Sequence, residues 1–192
     1  MEIQSSYTRH SGNLIMNSVS HTKIIPYQYD WLKKFQVEKE KLENFFGNKA
    51  LEVEHMGSTS IEGLISKPII DIVVMIEDHK TADTFTEPLT KLGYRFDSSS
   101  TKRHFYVKGD PTEYHLSIAY ADTGGFWKRQ ILFRDYLRNH PEALHEYATL
   151  KVNLLKSNPT GHGGYITGKS EFVNKILNLA GWSEGQKYIS KL

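Results

Sequence analysis

The sequence predicts an α+β fold that ends in a helical C-terminal part. Three observations carry this reading. Strand signals crowd residues 51–120, helical periodicity takes over from 126 onward, and the run 69–76 is rich enough in β-branched residues to be a central strand. At 192 residues the chain is long enough to bury roughly 70% of the surface its unfolded form exposes, so it needs no staples to hold a core.

Residues 1–22 are rich in Ser, Asn and Thr without a period, and are read as a flexible N-terminal leader ahead of a single domain over 23–192. Over 28–46 the apolar residues Trp31, Phe35, Leu42, Phe45 and Phe46 recur at helical intervals, and Gly47 stops the pattern. Leu51, Val53 and His55 alternate with Glu52, Glu54 and Met56, which predicts a short half-buried strand running into the turn Gly57-Ser58-Thr59-Ser60. The central strand 69–76 follows Lys67-Pro68, and its only polar side chain is Asp71. A helix is expected over 81–92 despite Pro88, which should kink or split it, with Gly93 as its left-handed cap. Strands are expected at 94–96, 104–107 and 114–120, the last two joined across Lys108-Gly109-Asp110-Pro111, and helices at 127–139, 141–156 and 170–179.

Composition excludes several function classes. Cys is absent, which removes disulfides and Cys-based metal centres. No stretch approaches the ~20 apolar residues of a membrane helix. The start of the chain lacks the basic and apolar segments of a secretory signal, so a cytoplasmic location is expected. With 24 Lys+Arg against 22 Asp+Glu, the net charge of +2 is too small for a duplex nucleic-acid binder. Phosphate binding here must be local.

The strongest local candidate joins the turn at 57–60 to Asp71. Gly57 allows close backbone approach to a ligand, Ser58 and Thr59 with the amides of the turn can cradle a phosphate, and Asp71 can hold a divalent ion that bridges phosphate oxygens. The plain alternative is a capped turn and an Asp that hydrogen-bonds backbone. On the strand 114–120, His115 and Ser117 present a polar face, and His115 is either a nitrogen ligand or a general base. For His55 two readings stay open: a satisfied half-buried histidine, or a third metal ligand beside Asp71 and His115. Gly163 to Ser170 fits the G-x-x-x-x-G-K-S pattern, but no strand precedes it and no Asp follows Asp135, so a P-loop is rejected.

Read in order, His55-Met56-Gly57-Ser58-Thr59-Ser60-Ile61-Glu62-Gly63-Leu64, Lys67-Pro68-Ile69-Ile70-Asp71-Ile72, Arg103-His104-Phe105, Tyr114-His115-Leu116-Ser117, Phe133 to Arg138, and Tyr165 with Lys169 closely resemble the GrpB family, a group assigned to the nucleotidyltransferase superfamily. The resemblance covers about 23–181. It implies a nucleotidyltransferase-like mixed β-sheet flanked by helices, with a pocket between the sheet and the helical C-terminal part. It further implies a small-molecule nucleotide as partner and Mg or Mn as cofactor. Asp71 and His115 would be the catalytic residues, Asp71, His115 and His55 the metal ligands, and Gly57, Ser58, Thr59, Lys67, Arg103, Arg134 and Lys169 the phosphate or nucleotide contacts. In the superfamily two carboxylates spaced Asp-x-Asp/Glu clasp the metal; here the second position is Val73, which cannot ligate. That departure favours a rival reading, a catalytically silent binding or accessory domain, and the family also occurs fused to dephospho-CoA kinases. A metal-dependent hydrolase using His55, Asp71 and His115 is the third alternative. Neither the acceptor substrate nor a protein partner is specified by these residues.

Overall fold

A computed structural model describes residues 23–122, 125–160 and 163–183; the expected leader 1–22 lies outside them. Helix α1 (Asp30–Phe46) precedes β1 (Glu52–Met56), and β2 (Ile70–Ile76) follows the turn at 57–60. A short helix α2 (Thr86–Leu89) leads to the meander β3 (Tyr94–Ser100), β4 (Arg103–Gly109) and β5 (Thr112–Tyr120). Helices α3 (Phe126–Asn139), α4 (Pro141–Ser157), α5 (Gly164–Thr167) and α6 (Ser170–Leu179) follow. The strands form one mixed sheet in the order β1-β2-β5-β4-β3, with β2 and β5 parallel and every other pair antiparallel.

Alternation along the strands sorts side chains onto two unlike faces. Ile70, Ile72, Val74 and Ile76 of β2 join Leu116, Ile118 and Tyr120 of β5 under α1, where Trp31, Phe35, Leu42 and Phe46 bury the helical stripe expected of them. The opposite face carries Asp71 and His115 at one end, next to an apolar patch of Met56, Val73, Met75 and Ala119 covered by Trp127 of α3. A further cluster ties Ile61 and Leu64 to Leu137, Tyr147, Phe172 and Ile176, which docks α3, α4 and α6 beside the turn after β1. The C-terminal helices thus overhang one face of the sheet and leave a cleft.

Two expectations need correction. The helix expected over 81–92 is broken into 3₁₀ turns around the four residues of α2, because Pro88 cannot sustain a regular helix; Gly93 does take the left-handed conformation, at φ 82°. Strand β3 runs to Ser100 rather than Phe96, since an edge strand pairs through its backbone and tolerates exposed Asp97 and serines. Residues 163–169 form helical turns between α4 and α6, and among the described residues no strand immediately precedes them, consistent with the rejection of a P-loop. Among the described residues no helix is long and apolar enough to cross a membrane.

Candidate functional site

Parallel pairing of β2 with β5 sets Asp71 opposite His115. Their side chains meet: His115 Nδ1 and Asp71 Oδ1 lie 2.9 Å apart, with both groups partly exposed. A carboxylate oxygen accepts, so Nδ1–H donates, which orients the ring and leaves Nε2 available as an acceptor. The edge of Phe105 packs against the imidazole at 5.1 Å between centroids and restrains it further.

Gly57 closes this pair from the other side. Its backbone sits at φ 68°, ψ −172°, a region open essentially to glycine. A Cβ there would lie 2.2 Å from Asp71 Oδ2. The glycine expected to admit a ligand therefore first admits the carboxylate of Asp71. Ser58 lines the cleft, as does Tyr147 of α4. Thr59 does not face it: its buried hydroxyl donates to the Ile69 carbonyl at 3.0 Å and so accepts from His55 Nε2 at 3.1 Å.

That bond fixes His55 away from the site. His55 pairs with Ile72 in the sheet, shares the α1 face with it, and stacks on Phe35 at 4.7 Å. Burial, reinforced by Arg138 and Arg134 and only partly offset by Asp71, lowers its pKa to about 4, so the ring is neutral near pH 7. The proposed ligand set of His55, Asp71 and His115 is split across the sheet, and the reading of His55 as a metal ligand gives way to that of a satisfied core histidine.

Three of the expected cations reach the cleft. Arg103 donates to Ser117 Oγ at 2.6 Å and lies over the rings of Phe105 and Phe126, at 4.3 and 5.0 Å from their centroids. Lys67 and Lys169 both stand over the ring of Tyr165, at 5.2 and 4.4 Å. Burial lowers the pKa of all three, and Asp71 opposes the shift in each case.

Arg134 is placed otherwise. Buried, it donates to Glu54 at 2.6 Å, to Asp135 at 2.7 Å and to the His55 carbonyl at 3.0 Å. Arg138, one turn on, donates to the Ser60 carbonyl at 2.7 Å. The two arginines share a helical face, as their spacing predicts, but together they clamp the chain on both sides of the 57–58 turn. Arg134 is thus a positioning residue rather than a phosphate contact, since Glu54 and Asp135 already neutralise it.

The cleft has three connected parts that all touch Asp71. One, of about 240 Å³, runs past Arg103, Ser117 and Phe126; another, of about 210 Å³, runs past Ser66, Lys67 and Lys169; the widest, of about 580 Å³, lies under Phe133, Tyr147 and Trp182. Their volumes suit a small molecule. Sequence reasoning missed Lys151, which lines the second part although it is only 2% exposed. Ala143, Tyr147 and Lys151 form one buried stripe at four-residue intervals on α4, and that spacing was the available signal.

The residues can be tested against the divalent ion that the superfamily implies. Asp71 is the sole carboxylate among the described side chains lining the cleft, and one of its oxygens already holds His115. Val73 is buried in the apolar patch under Trp127, where a second carboxylate would be stranded. No three His, Asp or Glu side chains among the described residues gather as a metal site. This donor set does not fit a two-metal centre.

Comparison with known proteins gives the same architecture. A crystal structure of the conserved protein GrpB from Enterococcus faecalis superimposes with a TM-score of 0.76 at 31% identity, covering 82% of this chain and 96% of that one. The glutamate-rich protein GrpB of Alkalihalophilus pseudofirmus is 33% identical over 81% of this chain and 93% of its own length. The UPF0157 protein YqkA of Bacillus subtilis is 34% identical over 85% of this chain but 49% of its own length, so the match spans about half of that relative. The GrpB protein family profile matches residues 21–179, and the chain belongs to that family.

Proposed function

We propose that the cleft binds the phosphates of a small-molecule nucleotide, and that the Asp71–His115 pair serves as the base for nucleotidyl transfer to an acceptor. The observation that carries this reading is the convergence of Arg103, Lys67 and Lys169 on one partly exposed Asp–His pair in a cleft of small-molecule size. Three partly desolvated cations line the cleft beside one carboxylate among the described side chains, a setting that suits an anionic ligand. Phe126 and Trp182 give the wide part of the cleft flat apolar surfaces on which a base can stack.

In the proposed reaction, His115 Nε2 accepts the proton of an acceptor hydroxyl as its oxygen bonds to the α-phosphorus, and pyrophosphate leaves with the electrons of the broken P–O bond. Asp71 holds the imidazolium that results, and Arg103 with Lys67 and Lys169 balances the charge on phosphate oxygens. Val73 supports one rival, a domain that binds the nucleotide without turnover.

Binding is tested by thermal unfolding with a panel of nucleotides, each with and without Mg²⁺ or Mn²⁺. A ligand at about 100 Kd adds about 2.7 kcal/mol, which raises the midpoint by roughly 5 to 10 °C in a chain of this size. If no nucleotide shifts the transition, the reading falls. Release of pyrophosphate, absent in His115→Ala, separates transfer from silent binding.

A further inference from the structure

Lys151 poses a problem that the proposed reaction does not solve. It is buried among the helices, and its Nζ donates to the Ile65 carbonyl. Its charged neighbours are Lys169 and Lys67, which repel it, and Asp71, which attracts it; the phenol of Tyr147 lies 5.5 Å below on its own helix. Burial together with the two lysines brings its pKa down to about 7. An ammonium desolvated to this degree is normally paired with an anion.

The three lysines come from separate places in the chain: the loop before β2, helix α4 and the start of α6. They line one arm of the cleft, which meets the Arg103 arm at Asp71 and His115. Resting on the nucleotide reading above, we infer that the lysine arm is a separate anion subsite centred on Lys151. It receives the far end of a ligand carrying two or more linked phosphates, while the near phosphate lies by Arg103. The Asp71–His115 pair then stands between the two ends. A monophosphate satisfies one arm only, so the substrate class is a di- or oligophosphate.

Titration calorimetry of the full chain with orthophosphate, pyrophosphate and tripolyphosphate at one ionic strength tests this. The inference requires pyrophosphate or tripolyphosphate to bind at least 30-fold more tightly than orthophosphate. It also requires Lys151→Met to weaken the longer anions at least tenfold while changing orthophosphate less than threefold. Methionine fits the apolar surroundings of the stem and removes the buried charge. Lys169→Gln, at a half-exposed position, must show the same selective loss and keeps the test valid should the Met variant fold poorly. If the polyphosphates bind no better than orthophosphate, or ignore both substitutions, the inference is overturned, and a nucleotide-induced rise in melting temperature would still sustain the wider reading. If neither phosphates nor nucleotides bind, both fall together.

Discussion

The two faces of the sheet use the same residue types for opposite purposes, and two histidines show it best. His55 and His115 flank β2 on either side, each held by one hydrogen bond and each beside an aromatic ring. On the α1 face, His55 is sealed under Phe35 and held neutral, its single bond reaching a threonine that is itself engaged. On the cleft face, His115 is tied to a carboxylate through one nitrogen and keeps the other free for a ligand. The contrast teaches that strand parity decides which histidine serves the core and which serves chemistry. Residue type does not, because both were candidate ligands in the sequence.

If that contrast is sound, the closed face should respond to substitution with lost stability and the open face with lost binding. The largest effect is expected from Phe35→Ala. It removes a buried ring that packs on both His55 and the core, and large-to-small changes of this kind cost about 3–5 kcal/mol. Urea unfolding should show that loss with an unchanged denaturant slope. A loss below about 1 kcal/mol would mean that this face is not the principal core.

The next effect is a pH dependence. His55 titrates near its ordinary value of 6.5 when unfolded and at about 4 when folded. Between these values the unfolded chain binds the extra proton, so stability declines as pH falls through that window. The full contribution is on the order of 3 kcal/mol, from 1.36 kcal/mol per pH unit. His55→Gln should flatten the stability profile between pH 6.5 and 4. A profile of unchanged slope would move the titrating group elsewhere.

Gly57→Ala comes third and probes the boundary between the faces. The backbone conformation alone costs a non-glycine residue about 1–3 kcal/mol. The new methyl would also displace the Asp71 carboxylate. Stability should fall by about 2 kcal/mol and nucleotide-induced stabilisation should vanish together. A variant that binds normally would show that the close approach of Gly57 to Asp71 is incidental.

What the sequence made legible follows the same division. The α1 stripe and the β-branched run of β2 were readable because burial of apolar surface imposes a period on the chain. Asp71, an acid interrupting that run, was readable as an anomaly. Its contact with His115 was readable only on the condition that the two strands are neighbours, because it depends on parallel pairing across 44 residues in one particular register. Arg134 was misassigned for a related reason: the neighbouring Asp135 offered a local salt bridge, but the second partner that completes the neutralisation, Glu54, lies 80 residues away. Lys151 escaped because a lysine within a charged helix reads as solvated until the helix is docked.

The smallest expected change in stability belongs to Asp71→Asn, and it sharpens the comparison most. The side chain is 39% exposed, and it accepts a hydrogen bond from His115, itself partly in water. Exposed or half-exposed ion pairs contribute little, about 0–1 kcal/mol, so unfolding should shift by less than about 1 kcal/mol. Asparagine keeps the shape beside Gly57 and can still accept from Nδ1–H through its amide oxygen, which preserves the ring orientation. What disappears is the negative charge that would hold a protonated His115 during proton transfer. Pyrophosphate release should therefore drop by at least 100-fold while nucleotide binding persists or strengthens, since the cleft loses a charge that repels phosphate. Equal loss of binding and release would assign Asp71 to the ligand rather than to His115, and would break the proposed division of labour within the open face.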